Sequence, residues 1–464
     1  MIRLFKHYIP KSLIILGLLE FLVFSIAIQF GARLRFWSAN ESQIFIQLPE
    51  LNLSSAVFAL TMISAMTATG LYQRHLRDGL NGMFLRIAVA FLLGFLTIAV
   101  FFYMFPSAFI GRGVLGITFV VSMLSILLMR IIYVKVVNRT FLKRRILVVG
   151  AGVQASQIEN RLRRKTDREN FIIVGYVALP KEQVAIRKEN VINSDSSLKD
   201  LALHHGVDEL VIAITERRKG FPTDQVLDCK LSGIEVVDVL TFFERQTGRL
   251  ILEILNPSWL IFSDGFMHGA VRELSKRIFD IISSSALLIL ASPLMVFAAI
   301  AIFFEDRGPI FYRQVRVGQN WDLINILKFR SMRVDAEKHG AQFASKDDNR
   351  VTKIGRFIRK TRIDELPQLI NVLKGDMSFV GPRPERPEFV EKFSDTIPYY
   401  AERHRIKPGI TGWAQICYPY GASERDTMEK LQYDLYYVKN YSLFLDIMVL
   451  FQTAEVVLWG KGAR

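Results

Sequence analysis

The chain contains little cysteine and no repeated or compositionally simple segment. Only Cys229 and Cys417 occur among 464 residues, far apart and without the spacing of a metal site. This excludes a disulfide framework and indicates a reducing compartment. No internal repeat or low-complexity tract is found, so nothing in the sequence indicates a repeat protein.

Acidic residues are also in deficit, with 44 Asp and Glu against 59 Lys and Arg, a net charge of +15. With 51% hydrophobic residues and a mean hydropathy of +0.25, the composition indicates a membrane protein with soluble parts. Basic excess can indicate nucleic-acid binding, but beside apolar spans it indicates a cytoplasmic face held against anionic lipid. We therefore predict membrane lipid as a partner, and no nucleic acid.

Residues 1–140 are predicted to form a four-span transmembrane bundle. Four apolar runs approach the roughly 20 residues that a bilayer requires: Ser12–Phe30, Leu53–Leu71, Ile87–Phe105 and Val114–Met129. A cleaved signal peptide is disfavoured, because the first run is long and three more follow. Lys and Arg are concentrated before the first run, between the second and third, and after the fourth, which predicts that both ends of the bundle are cytoplasmic.

One acidic residue, Glu20, lies inside the first apolar run. An intramembrane acid is a functional candidate by default. We favour a structural, packed role, because no other polar residue in the sequence is expected to cluster with it.

Residues 141–265 are predicted to form a Rossmann-like, CoA-binding-like α/β domain with a parallel sheet. The sequence RRILVVGAG (144–152) reads as a buried strand followed by a glycine turn, and a helical segment follows. Further strand and helix patterns alternate after it. Gly150 and Gly152 could form a regulatory nucleotide site, or the domain could be a scaffold. The second interpretation is preferred, because no acidic residue follows the second strand where ribose binding needs one.

A fifth apolar run, Ile278–Phe304, contains Ser292 and Pro293 near its middle. Proline removes a helical hydrogen bond and clashes with the preceding turn, so a break or a sharp bend is expected there. Two hypotheses follow. A kinked span would place the rest of the chain outside the cell, whereas a re-entrant helix over 272–304 would return it to the cytoplasmic face.

The segment RKTRIDELPQLINVLKGDMSFVGPRPE places an adjacent acidic pair, Asp364 and Glu365, among basic residues. Asp364 is positioned to cap a helix that Gly375 would end, with Pro367 in the first turn. Such a helix start stabilises phosphates. An ordinary capped helix with surface arginines is the alternative, and this stretch alone does not decide between the two.

Several blocks of the last 200 residues occur together in one family. They are GPIFYRQVRVG (308–318), KFRSM (328–332), the DELPQ block with GPRPE, and KPGITGWAQ (407–415). They closely resemble the bacterial sugar transferase family, the monotopic polyprenyl-phosphate phosphoglycosyl transferases. The four spans, the α/β segment, and the blocks TERRKG (215–220), FFERQTG (242–248) and PSWLIFSDGF (257–266) resemble its large, multi-span members of exopolysaccharide biosynthesis.

The resemblance implies a reaction and a site. The family transfers a sugar 1-phosphate from a nucleotide diphosphate sugar, here expected to be a UDP-hexose, to polyprenyl phosphate and releases the nucleoside monophosphate. Asp364 would be the nucleophile that forms an aspartyl phospho-sugar, and Glu365 would hold Mg²⁺ or manage a proton. The remaining predicted residues are Arg359, Lys276 and Arg277 for phosphate, and Pro382, Arg383 and Pro384 for the nucleotide.

The predicted fold class is therefore α/β plus membrane helices, with a mostly helical monotopic catalytic domain over 266–464 that carries the Ser-Pro-broken helix. The resemblance places the chain in the bacterial inner membrane as a multi-pass protein with a cytoplasmic catalytic domain. Whether it forms a homodimer stays open. Two rival assignments remain, a membrane-tethered nucleotide-sensing regulator or scaffold, and a NAD-dependent epimerase or dehydratase. Against the second, the α/β segment contains no recognisable Tyr-xxx-Lys pair.

Overall fold

The structure is a computed structural model. It describes residues 2–4, 7–37, 41–72, 79–105, 111–137, 143–163, 165–168, 170–180, 182–192, 196–214, 221–266, 269–334, 336, 349–419, 421 and 423–458. The TERRKG block (215–220) lies outside these residues. The chain divides into two compact units, one of residues 1–3 and 8–248, the other of residues 4–7 and 249–464. Two short strands, β1 (Ile2–Leu4) and β2 (His7–Ile9), precede the first helix.

The four predicted spans are helices. They are α1 (Lys11–Arg35), α2 (Glu41–Ala68), α3 (Gly79–Met104) and α4 (Arg112–Val137). Helix α1 packs against α2 and α4, and α2 packs against α3. Phe24, Phe58 and Ile87 contribute to the buried apolar core of the bundle. A Cβ atom at Gly31 would lie 2.6 Å from Thr118 Oγ1, so this glycine allows the close approach of α1 and α4.

Glu20 is fully buried in the bundle, and it is paired. Arg130 Nη2 lies 2.9 Å from Glu20 Oε2, Arg130 Nη1 donates to the carbonyl of Leu71 at 2.7 Å, and the Tyr72 hydroxyl donates to the Glu20 carboxylate. The expectation that no polar residue clusters with Glu20 was therefore wrong. Arg130 is 110 residues away in sequence, and only the packing of α4 on α1 brings the charges together. These contacts support the structural interpretation of Glu20.

The α/β part of the first unit is built on a four-stranded parallel sheet, in the order β4-β3-β5-β6. In chain order its elements are β3 (Arg144–Val149), α5 (Val153–Arg161), β4 (Phe171–Val177), α6 (Leu198–His204), β5 (Glu209–Ile212), α7 (Thr223–Leu231), β6 (Glu235–Asp238) and α8 (Val239–Thr247). The predicted parallel sheet is confirmed. Gly150 has φ +111° in the turn after β3, and Gly152 immediately precedes α5.

The second unit begins with α9 (Pro257–Phe262) and the long helix α10 (Ala270–Asp306). It continues with β7 (Phe311–Val317), β8 (Leu323–Phe329), α11 (Lys353–Lys360), α12 (Gln368–Lys374), β9 (Ser378–Val380), α13 (Pro387–Thr396), β10 (Gly409–Thr411), α14 (Trp413–Cys417), α15 (Glu424–Asn440) and α16 (Leu443–Leu458). Strands β7 and β8 form an antiparallel hairpin, and β9 and β10 pair in parallel. The main core packs α15 and α16 against β9 and α13.

Helix α10 continues without interruption through Ser292 and Pro293. Proline has no amide hydrogen to donate to the carbonyl of residue 289, four positions earlier. The Ser292 hydroxyl donates to that carbonyl instead, at 2.8 Å. The serine therefore satisfies the acceptor that the proline leaves open, and the predicted break is replaced by a continuous helix. The sequence also allowed a bend of the helix at this position, and that bend stays a prediction.

Among the described residues, four helices are long and apolar enough to cross a membrane: Lys11–Arg35, Gly82–Met104, Arg112–Lys135 and Ala270–Asp306. The apolar helix Leu53–Ala68 is shorter. These lengths and compositions agree with the sequence-based prediction of a membrane protein with several apolar helices.

Candidate active site

The acidic pair lies at a cavity of about 790 Å³ in the second unit. The β7–β8 hairpin, the segment from α11 to α12, the loop after β9, and helices α14 and α15 supply its walls. Most of its charged lining is basic, and Asp364, Glu365, Glu385 and Asp434 are the acidic members among the described residues. The arrangement is suited to a ligand that carries several negative charges.

The backbone at the pair differs from the predicted capped helix. Arg362 adopts a left-handed conformation with φ +60°, and Ile363–Glu365 form a single 3₁₀ turn. Helix α12 begins only at Gln368, with Pro367 as N-cap and without a side-chain cap. The prediction that Asp364 caps this helix was wrong, because the extra turn separates Asp364 from the helix start. The predicted end at Gly375, with φ +97°, is confirmed.

Glu365 is buried among three cations. Arg383 Nη2 donates to Glu365 Oε1 at 2.7 Å, and Arg362 Nη1 and Lys328 Nζ lie 3.6 and 3.9 Å from the same oxygen. Burial alone would raise the pKa of Glu365, but the charges of Arg383, Lys328 and Arg362 outweigh it and lower that pKa to about 2. Glu365 therefore stays ionised at neutral pH.

Asp364 has the opposite environment. Its Oδ1 atom is buried and has no hydrogen-bond partner among the described residues. Burial, followed by repulsion from Glu365, raises the pKa of Asp364 to about 6. The two carboxylates titrate as an interacting pair, with the more basic site on Asp364. The two acids therefore differ in environment, and the role of Asp364 as nucleophile stays a prediction.

Lys328 faces the pair from strand β8. Its pKa is lowered to about 8 by burial, and the nearby charges of Arg383 and Arg316 act in the same direction against the attraction of Glu365. Lysine at this position lines the cavity and brings a titratable cation to the acidic pair. The sequence indicated it only as part of the KFRSM block.

Arg383 is held by a loop whose backbone is fixed at each residue. Gly409 N donates to the Pro382 carbonyl at 2.9 Å, Arg403 Nη2 donates to the Arg383 carbonyl at 2.9 Å, and Arg316 Nη1 donates to the Pro384 carbonyl at 3.2 Å. Arg383 lines the cavity, whereas Pro382 and Pro384 are buried outside its lining. The two prolines thus position the loop, and a direct contact with nucleotide stays a prediction.

The predicted phosphate-binding residues are dispersed. Arg359, near the end of α11, lines the cavity. Lys276 Nζ instead binds the Val380 carbonyl at 3.0 Å and the Asp446 carboxylate at 2.8 Å. Arg277 donates to the carbonyls of Val372 and Leu373 at the end of α12, both at 2.6 Å. These contacts fasten α10 to the unit, and a role of Lys276 and Arg277 in phosphate binding stays a prediction.

Sequence reasoning missed the polar side chains of strand β7 and a buried ion pair between Arg403 and Asp434 of α15. Tyr312, Gln314 and Arg316 alternate along one face of β7 and line the cavity, a period-two pattern visible in FYRQVRV. Arg403 and Asp434 form a buried ion pair at 2.8 Å in the same wall. No local sequence signal relates these last two residues, because they lie on different elements.

A metal site built from the protein alone is not seen. Within the part of the chain that the structure describes, no group of three or more His, Cys, Asp or Glu residues could hold an ion. The donor set at the cavity is two adjacent carboxylates, one of them with an unpaired oxygen. Mg²⁺ is commonly held by one or two carboxylates together with substrate phosphates, so these residues fit a magnesium ion that arrives with its ligand.

Two parts of the chain match known protein families. A family model described as "Bacterial sugar transferase" matches residues 271–460, and one described as "CoA-binding domain" matches residues 67–219. The UDP-N-acetylgalactosamine-undecaprenyl-phosphate N-acetylgalactosaminephosphotransferase of Aeromonas hydrophila is 44% identical over 236 residues, 51% of this chain and 55% of the relative.

Two further relatives carry the name UDP-glucose:undecaprenyl-phosphate glucose-1-phosphate transferase. The protein of Escherichia coli (strain K12) is 43% identical over 249 residues, 52% of this chain and 51% of the relative. The protein of Caulobacter vibrioides is 38% identical over 193 residues, 41% of this chain and 72% of the relative. The chain thus spans about half the length of the A. hydrophila and E. coli relatives (55% and 51%).

Proposed function

Because the chain belongs to the bacterial sugar transferase family, we propose that it transfers a sugar 1-phosphate from a UDP-hexose to undecaprenyl phosphate. The products are a polyprenyl-diphosphate-sugar and UMP. The names of the relatives support this donor and acceptor class. The single observation that carries the proposal is Asp364, an acid that lines a basic cavity and whose buried Oδ1 atom has no hydrogen-bond partner among the described residues.

In the first step, an ionised Asp364 oxygen attacks the β-phosphorus of the donor. A new oxygen–phosphorus bond forms, the bond between the β-phosphorus and the bridging oxygen breaks, and UMP leaves with that electron pair. In the second step, a phosphate oxygen of the lipid acceptor attacks the aspartyl phospho-sugar and releases the Asp364 carboxylate. Carboxylate nucleophiles are established in phosphoryl transfer.

The surrounding cations have separable tasks in this scheme. Arg383 keeps Glu365 ionised and oriented, since it makes the direct hydrogen bond. Lys328 and Arg359, which line the same cavity, would stabilise the charge on the phosphoryl oxygens. Asp364 and Glu365 would hold Mg²⁺, which when bound neutralises charge on the transferring phosphate.

We further propose that α10 is re-entrant. Residues 277 and 305 would lie about 42 Å apart in a straight helix, more than the roughly 30 Å of a bilayer core. Both helix ends nevertheless contact the same compact unit, Arg277 at the end of α12 and Glu305 at the amide of Ile354, 3.2 Å away. Two ends bound to one domain support a helix that enters and leaves the membrane on one face.

This geometry supports a cytoplasmic catalytic domain at the bacterial inner membrane, where a soluble donor meets a lipid acceptor. The step would be the first membrane reaction of exopolysaccharide biosynthesis, as the subgroup motifs imply. Neither rival assignment, a nucleotide-sensing scaffold or a NAD-dependent epimerase, accounts for an adjacent acidic pair that lines a basic cavity.

The test is UMP release from UDP-glucose, UDP-galactose and their N-acetylated forms by the purified full chain with undecaprenyl phosphate. Asp364→Asn should abolish release and should prevent radiolabelled sugar phosphate from attaching to the protein. Asp395→Asn, on the exposed face of α13, is the matched control and should retain activity. Full activity of Asp364→Asn with unchanged thermal unfolding would exclude Asp364 as nucleophile.

A further inference from the structure

The glycine turn of the α/β domain, Gly150 to Gly152, is covered by its own chain. After β4, the segment formed by Leu179, Pro180 and Glu182–Ile186 crosses this turn. Ala185 N donates to the Ala151 carbonyl at 2.8 Å, which fixes the crossing segment to the turn. The feature lies in the first unit, whereas the cavity of the proposed transfer reaction lies in the second.

The carboxylate of Glu182 occupies the space in front of the turn. Its Oε2 accepts from Ala151 N at 2.9 Å and from Leu179 N at 3.1 Å, and its Oε1 accepts from Gly152 N at 3.0 Å. One side chain thereby satisfies three backbone amides, two of them in the two residues that precede α5. Those two amides lie beside the N-terminal end of the helix, where the helix dipole places partial positive charge.

In parallel α/β folds, the amides between the first strand and its following helix are the ones that bind a ligand's phosphate. A carboxylate offers the same sign of charge and two acceptor oxygens to the same donors. A Cβ atom at position 152 would lie 2.7 Å from Glu182 Oε1, so the glycine is needed to admit this carboxylate. The glycine pattern, which resembles a nucleotide motif, is thus accounted for by a contact within the protein.

We infer that Glu182 is the resident anion of the glycine turn and competes with any phosphate ligand for its amides. The competitor is tethered to the same domain, so an external anion must displace three hydrogen bonds before it can bind. The inference predicts that neither coenzyme A nor a dinucleotide binds at the turn while Glu182 is in place. It assigns to Gly150 and Gly152 a structural role instead of the regulatory site considered from the sequence.

Binding of inorganic pyrophosphate, coenzyme A and NAD⁺ to the purified full chain provides the test. Wild type should show no saturable binding at millimolar ligand, whereas Glu182→Ala should bind pyrophosphate at least tenfold more tightly. Glu189→Ala is the control, because Glu189 follows in the same part of the chain but is exposed and pairs with the exposed Arg187 at 3.6 Å. The inference would be overturned if wild type bound one of these ligands and Glu182→Ala bound it with equal or lower affinity.

Hydrogen exchange supplies a readout that needs no ligand. The peptide containing Ala151 and Gly152 should exchange at least tenfold faster in Glu182→Ala than in wild type or in Glu189→Ala. Glu182→Gln, which keeps the size of the side chain and one acceptor oxygen, serves if the alanine variant does not fold, and an intermediate rate is expected for it. Unchanged protection of this peptide in a folded Glu182 variant would contradict the role of Glu182.

Discussion

Arg383 donates a hydrogen bond of 2.7 Å to Glu365, while the adjacent Asp364 keeps a buried carboxylate oxygen without a partner among the described residues. Two acidic residues that are neighbours in sequence thereby have different environments. The guanidinium of Arg383 holds the pKa of Glu365 low. Burial, together with repulsion from the Glu365 carboxylate, raises the pKa of Asp364. The contrast predicts which carboxylate attacks and how the reaction responds to pH.

The pH profile of kcat/KM should have an acid limb near pH 6. Asp364 must be ionised to attack, and its pKa is raised to about 6, so activity should fall about tenfold for each pH unit below that value. The measurement is UMP release at subsaturating donor between pH 4.5 and 9. A profile that is flat down to pH 4.5 would contradict a nucleophile with this pKa.

The alkaline limb should belong to Lys328. The pKa of Lys328 is lowered to about 8, so the cation is lost as the pH rises through that value and activity should fall. Lys328→Arg keeps the positive charge throughout this range, because arginine stays protonated. The variant should therefore lose the alkaline limb while its acid limb is unchanged. An alkaline limb that persists in Lys328→Arg would assign it to another group.

Replacing Arg383 should impair the reaction more than removing an exposed arginine. Arg383→Ala should lower kcat/KM on the order of 10²–10³-fold, the size of effect seen when a preorganised donor of an active site is removed, because Glu365 would lose its direct hydrogen bond and its nearest cation. The kcat/KM of Arg383→Lys should lie between those of wild type and Arg383→Ala, since lysine retains the charge but not the planar donor geometry. Arg405→Ala is the control, as Arg405 is largely exposed and pairs with Glu402. Equal kcat/KM values for Arg383→Ala and Arg405→Ala would show that Arg383 does not contribute to the reaction.

In the bundle, Arg130→Ala should destabilise the protein strongly. The change leaves Glu20 fully buried without its cation, and breaking a buried pair in this way costs about 3–5 kcal/mol. Arg130→Ala combined with Glu20→Gln should recover part of that loss, because no unpaired charge then remains. Thermal unfolding of the purified protein in detergent measures both variants. A double variant less stable than Arg130→Ala alone would argue against charge burial as the cause.

The re-entrant arrangement of α10 can be tested by labelling in intact cells. With Cys229 and Cys417 replaced by serine, a single cysteine introduced at Gly308, just after α10, should react with an impermeant maleimide only after the inner membrane is opened. A cysteine at Asp264, before α10, should behave identically, because both ends of a re-entrant helix lie on one face. Labelling at 308 from the periplasmic side alone would show a spanning helix.

The elements of this protein follow from local sequence patterns to different degrees. Long apolar runs predict α1, α3 and α4, because a membrane-length helix requires only composition and length. The alternation of strands and helices predicts the parallel sheet of β3 to β6. The local geometry at Asp364 was predicted incorrectly, because the left-handed Arg362 inserts a 3₁₀ turn that capping preferences do not reveal. Likewise, Glu182 was not recognised, since no pattern relates it to the glycine turn 30 residues earlier.

The sequence by itself determined the membrane character, the parallel α/β segment and the family, because apolar length, alternation and long motif blocks are properties of contiguous residues. The tertiary structure alone decided which charges meet. In the folded protein Glu20 pairs with Arg130, and Glu365 accepts a hydrogen bond from Arg383. The Oδ1 atom of Asp364 has no partner among the described residues, and Glu182 accepts from the amide of Gly152. These outcomes depend on burial and on distances of a few ångströms between distant parts of the chain, and such distances exist only after the elements have packed.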